Sequence, residues 1–207
     1  MDFKETFLHV AASYTDVTTA SLLWDEIEKQ YGAKGRHYHT MQHLEYMFAR
    51  LLEHKGNIAE WDTLIFSVAY HDIVYSATAK DNEEKSACIA VKRLTQINFP
   101  PEKMQRCKEQ ILATSQHLAS ADHDTNLFTD ADLSILGAPW PAYEAYFKNV
   151  RKEYRIYPDF LYNPGRKKAI THFLEMDYIF KTAAFRDRFE AGARANINAE
   201  LEILTGV

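Results

Sequence analysis

Two cysteines, seven glycines and six prolines among 207 residues already exclude several architectures. Cys88 and Cys107 lie far apart with no paired spacing, so neither a disulfide framework nor a zinc knuckle is expected, and a reducing cytoplasm fits best. So little glycine and proline argues against an all-β chain with its many tight turns. A basic surplus is missing too. Lys and Arg total 24 against 29 Asp and Glu, a net charge of -5, which removes the footprint of general nucleic-acid or anionic-membrane binding and leaves room only for a local basic patch. No run approaches the roughly 18 apolar residues of a membrane span, and the first residues lack the basic start and apolar stretch of a signal peptide. A soluble, cytoplasmic chain with no membrane partner is expected. Also absent are a Gly-rich phosphate loop ending in Lys-Ser or Lys-Thr, a Gly-x-Ser-x-Gly nucleophile elbow, and the paired Glu-x-x-His motifs of a ferritin-like bundle.

What is present is apolar material at helical spacing. Hydrophobic residues make up 46% and aromatics 13%, enough for a sizeable core. Leu44, Met47, Phe48, Leu51 and Leu52 recur at steps of three and four, which predicts an amphipathic helix over about 40–54. Trp61, Leu64, Ile65, Val68 and Tyr75 predict another over about 61–75, and similar stripes continue through Leu94, Ile111, Tyr143, Ile170 and Phe189. Turn residues punctuate the chain at Gly32 to Gly35, Asn98 to Pro101, Gly137 to Pro141 and Tyr162 to Gly165, and none of these resembles an interdomain linker. The expected fold is an all-α globule of about seven to nine helices.

Ionisable residues interrupt these stripes. Steps from Leu64 and Val68 land on His71 and Asp72, and a buried carboxylate must be paired, protonated or bound to a cation. His39 and His43 are four apart. At that spacing two histidines can hold one metal, or one can ligate while the other handles a proton. Asp132 precedes Leu133 and Leu136 at what reads as a helix start, as a cap or as a further ligand, with Asp130 expected to turn outward or to cap. Jointly, His43, His71, Asp72 and Asp132 form a mixed nitrogen and oxygen set suited to a hydrolytic divalent cation.

The order His, His-Asp, Asp resembles the HD superfamily of metal-dependent phosphohydrolases. Tyr38-His39-Thr40-Met41-Gln42-His43 is similar to the Tyr-His-Asn-x-x-His word of its cyclic nucleotide phosphodiesterases, and Ala131-Asp132-Leu133-Ser134 to the segment bearing their last metal-binding Asp. Over its length the chain resembles small bacterial HD phosphohydrolases. The resemblance implies an HD-type, phosphodiesterase-like helical domain over 1–207, with a metal-site core at about 36–137 and C-terminal helices 140–205 packed on it. It implies His43, His71, Asp72 and Asp132 as ligands of manganese, magnesium, zinc, cobalt, nickel or iron. His39 matches the proton donor to the leaving oxygen, Glu84 an acidic residue that polarises water, and His117 a histidine near the phosphate. Arg36, and beyond it Arg151, Arg155 and Arg166, are candidates for clamping phosphate oxygens. The implied substrate is a small phosphate ester or a nucleotide. Where those phosphodiesterases continue with Asp-His after the dyad, this chain has Ile73-Val74, which departs from a two-metal, cyclic-nucleotide pattern. The alternatives are a di-iron oxygenase on the same fold and a catalytically idle nucleotide-binding member.

Overall fold

The computed structural model describes residues 1–206, and among them it contains ten α-helices and no strand. The all-α expectation holds. Two helices at the start, α1 (Phe3–Ala12) and α2 (Val17–Tyr31), carry the count past the expected range. Both are capped by aspartate. Asp2 accepts the Glu5 N–H at 2.8 Å while Glu5 accepts the Asp2 N–H at 3.2 Å, a reciprocal capping box, and Asp16 accepts the N–H and hydroxyl of Thr19. The chain groups into two compact units that meet in sequence between Thr129 and Asp130.

The first unit holds α1, α2, α3 (Met41–Glu53), α4 (Trp61–Tyr70), α5 (Asn82–Gln96), α6 (Pro101–Ala113) and most of α7 (His123–Leu133). Helix α4 is its centre: every residue from Thr63 to Tyr70 is buried, and α1, α3, α5 and α6 all pack against it. A helix apolar all round belongs in a core. Phe66 shows how it is filled, meeting Phe7 edge-on at 5.6 Å and Phe99 at 5.0 Å between ring centroids. The α3 stripe is buried through Leu44, Met47, Phe48 and Leu51, but Leu52, counted with it in sequence, is 44% exposed.

Two expected boundaries need correction because they bear on the site. The helix expected to reach residue 75 ends at Tyr70. His71 is its C-cap, its N–H donating to the Ser67 carbonyl, and the Ile73 N–H turns back to the Tyr70 carbonyl. The His-Asp dyad therefore sits at the negative end of the α4 dipole, where positive charge is favoured. Likewise the segment around Asp132 is not a helix start. Helix α7 begins at His123 and Asp132 falls in its last turn, because a helix buried on almost every side shows no stripe from which sequence could place its ends.

The second unit contains the end of α7, a 3-10 turn over Ser134–Gly137, α8 (Trp140–Glu153), α9 (Asp159–Glu175) and α10 (Ala183–Thr205). Helix α9 runs straight through the expected break at Tyr162 to Gly165. Pro164 lies in its second turn and forfeits only the bond to the carbonyl of Phe160, a residue that is exposed. Helix α10 crosses the 3-10 turn at backbone contact distance. A Cβ on Gly192 would stand 2.9 Å from the Gly137 carbonyl oxygen, and one on Gly137 would fall on the backbone of Phe189. Asn196 fastens the crossing by donating to the carbonyls of Leu136 and Ala138, each at 2.8 Å.

Candidate functional site

Four side chains of the first unit converge where α3 begins and α4 ends. His43, in the first turn of α3, is 3% exposed and His71 only 1%, and their Nε2 atoms face each other at 3.2 Å. The Asp72 Oδ2 lies 3.0 Å from the His71 Nε2, 3.9 Å from the His43 Nε2 and 3.8 Å from the His39 Nε2. His39 is not on the helix as its spacing suggested; it precedes the N-cap Thr40 and reaches the cluster from an irregular segment. Its ring lies against that of Tyr75, tilted by 31° with the centroids 4.1 Å apart.

The protonation chemistry of the cluster follows from one contact. His71 Nδ1 lies 3.0 Å from the Val68 carbonyl oxygen, which can only accept, so Nδ1 carries a proton. In the neutral ring the lone pair then sits on Nε2, which looks at a second imidazole nitrogen and at a carboxylate oxygen. A neutral His43 protonated on Nε2 can donate to that lone pair, and with its proton on Nδ1 the two Nε2 atoms and the carboxylate can together face a cation. Burial pushes the Asp72 carboxyl up, but His71, then His39 and His43, outweigh it and hold the group well below the usual carboxylate range.

Arg36 holds the backbone of this cluster. Its guanidinium donates to the carbonyls of His39 (3.2 Å), Asp72 (2.8 Å) and Ile73 (3.0 Å), and it lies over the rings of Tyr31 and Tyr75. The Tyr31 hydroxyl in turn accepts the Asp72 N–H at 3.2 Å. Arg36, expected as a phosphate clamp, thus spends these donors on the two segments that carry His39 and Asp72. Sequence gave no sign of this, since its acceptors are main-chain carbonyls.

The remaining expected residues are spread more widely. Asp132, half-buried, lies one turn beyond Phe128 on the same face of α7, and the Phe128 ring meets His71 edge-on at 5.8 Å between centroids. Glu84 is exposed in the first turn of α5, a helix tied to the post-dyad segment by Ser86, whose hydroxyl both accepts the Val74 N–H and donates to the Val74 carbonyl. His117 sits past the end of α6 with a left-handed backbone, φ 53°, its N–H bonded to the Ala113 carbonyl. A cleft of about 500 Å³ beside it is lined by Arg106, Leu112, Gln116, Leu118, Asp122 and Thr125, and by none of the four converging residues. Arg166 pairs with buried Glu200, and Arg151 with Asp159 and two carbonyls, which leaves Arg155 as the exposed one of the three arginines.

Asp130 requires correction. It neither turns outward nor caps its own helix. Fully buried, it accepts the N–H groups of Lys181 (2.8 Å) and Thr182 (2.7 Å) and the Thr182 hydroxyl (2.7 Å), so it anchors the start of α10. Burial raises its carboxyl, and these donors pull the other way. Lys181 beside it is drawn down to about 8, burial outweighing the opposing pull of Asp130, Asp132 and Glu190. Two residues apart on a stripe-free helix, Asp130 and Asp132 could not be told apart by position.

Among the described residues, no helix is long and apolar enough to cross a membrane. No family model, curated protein or solved structure matches this chain.

Proposed function

We propose that the chain is a metal-dependent phosphohydrolase acting on a small phosphate ester or a nucleotide. The observation that carries this reading is the pair of buried Nε2 atoms, of His43 and His71, turned toward each other beside the Asp72 carboxylate. A divalent cation would satisfy all three acceptors at once, where a proton satisfies one pair at a time. The fixed Nδ1–H of His71, bonded to Val68, is the outer contact that orients a ligating imidazole. Asp132, the remaining residue of the ligand set expected from the sequence, stays in the proposal on that ground. The donor set, imidazole with carboxylate, suits manganese, iron, cobalt, nickel or zinc better than magnesium.

When bound, the cation supplies Lewis acidity, acidifying water and offsetting charge on phosphoryl oxygens. The chain's own residues do the rest. His39, half-buried and held against Tyr75, stands at the edge of the cluster, where its Nε2 can give a proton to the departing oxygen. Arg36 keeps His39 and Asp72 in register through their carbonyls.

The test is metal analysis of the purified protein, thermal shift with each cation, and phosphate release from nucleotides, sugar phosphates and cyclic nucleotides. Asp72→Ala is expected to lose metal and turnover together. His39→Ala should retain metal and lose turnover, least with a nitrophenyl ester whose leaving group needs no proton. A wild-type protein that binds none of these cations and releases no phosphate refutes the proposal.

A further inference from the structure

The α8–α9 corner of the second unit combines two features rare elsewhere in this acidic chain. Residues 148–168 carry seven basic side chains, of which Arg166 pairs with Glu200, Lys148 with Glu144 and Arg151 with Asp159, which leaves four, Lys152, Arg155, Lys167 and Lys168. At the same corner Ile156, Phe160 and Leu161 are 68%, 75% and 55% exposed, three large apolar side chains within six residues. Single exposed apolar residues are ordinary, but a cluster of them marks a contact surface. We propose that this corner docks on an anionic phospholipid surface, the apolar side chains entering the acyl boundary and the basic ones meeting the headgroups.

The corner is built to present these groups. Arg151 braces it from beneath, donating to the carbonyls of Tyr154 and Tyr157 and lying over the Tyr162 ring. The same guanidinium pairs with Asp159 at 2.7 Å and so offsets the exposed acidic charge of the patch. Glu153 is buried. What remains outward is cationic: Lys152, Arg155 and Lys168 are exposed, and Lys168 continues the α9 face of Phe160 and Pro164 at helical steps of four. Apolar side chains flanked by lysine and arginine on one face are the composition of an interfacial anchor. A second copy of the chain is disfavoured as occupant, because a two-fold contact would set this basic patch against itself. A nucleic acid is disfavoured because Ile156 and Leu161 offer no ring for a base to stack on, which leaves Phe160 as a single ring where a stacking platform uses several.

This inference is independent of the metal site. Its test is sedimentation of the full chain with vesicles of equal parts phosphatidylglycerol and phosphatidylcholine, against vesicles of phosphatidylcholine alone. The wild type should pellet with the anionic vesicles only, and less as salt is raised. Lys168→Glu should lower the partition coefficient by about 5-fold or more, and Phe160→Glu by roughly tenfold or more. Both positions are exposed, so thermal melts should match the wild type and separate lost docking from lost folding. Failure to pellet, equal pelleting on both vesicle types, or unchanged binding by Phe160→Glu would overturn the proposal. So would a dimer dissolved by Phe160→Glu, or an oligonucleotide complex formed in place of vesicle binding.

Discussion

Each unit buries a cluster of ionisable side chains, and the two clusters differ in their donor arithmetic. In the second unit Glu200, 1% exposed, accepts two bonds from the Arg166 guanidinium (2.7 and 3.0 Å) and one from the Tyr143 hydroxyl at 2.5 Å. Every acceptor meets a donor and the charges cancel. In the first unit the Nε2 atoms of His43 and His71 and the carboxylate of Asp72 face one another, and the tautomers of the two rings decide which of them donates. An arginine closes the first of these networks, whereas the second is made of imidazole and carboxylate, the donor set of the metal site proposed above. Burial and unusual acidity are common to both, so neither property by itself distinguishes a site from a strut.

This contrast predicts unequal responses to substitution. The largest effect should follow from opening the closed network. Glu200→Ala leaves the Arg166 guanidinium buried without its carboxylate and should cost about 3–5 kcal/mol in urea denaturation, while Arg166→Met with Glu200→Met should recover most of that loss. Asp130→Asn comes next, since an amide turned toward the donors of Lys181 and Thr182 satisfies fewer of them. A loss of about 1–3 kcal/mol with metal content unchanged is expected. In the other cluster, His71→Leu removes the foremost partner of Asp72 and the donor to the Val68 carbonyl, but His39 and His43 stay beside a carboxylate that is partly exposed, so a loss of about 1 kcal/mol is expected in the metal-free protein. The same variant should bind no cation, and a large destabilisation of its metal-free form would show that the cluster is closed after all. A separate effect concerns pH. The Lys181 ammonium is drawn from 10.5 in the unfolded chain to about 8 in the folded one, so both states are protonated below pH 8. Between about 8 and 10.5 the unfolded chain holds the extra proton, and this group's contribution to stability rises with pH. Lys181→Met should lack that rise when melting temperatures are compared across the interval.

The all-α class was legible because α3, α6 and α8 carry clear apolar stripes, and His71 and Asp72 stood out as ionisable groups at the end of one. The phase of α7 was not. With nearly all its residues buried, a helix loses the contrast that period-reading needs, and Asp130 and Asp132 exchange roles without altering any pattern. The work of Arg36 was hidden for a different reason, since carbonyl acceptors are the same at every residue and only the fold decides which of them an arginine meets. His39 was placed on a helix face by spacing alone, yet it reaches the cluster from outside the helix.

The crossing of α10 over the 3-10 turn has a consequence for how this chain can change over generations. A side chain at Gly192 would press on the Gly137 carbonyl and one at Gly137 on the backbone of Phe189, so both positions are closed by the same crossing. An alanine at either one forces the backbones apart and draws the Asn196 amide away from the two carbonyls it holds. Neutral drift is closed at both sites unless the whole crossing is rebuilt. A descendant lineage that keeps this unit should keep both glycines, however far the surface around them diverges.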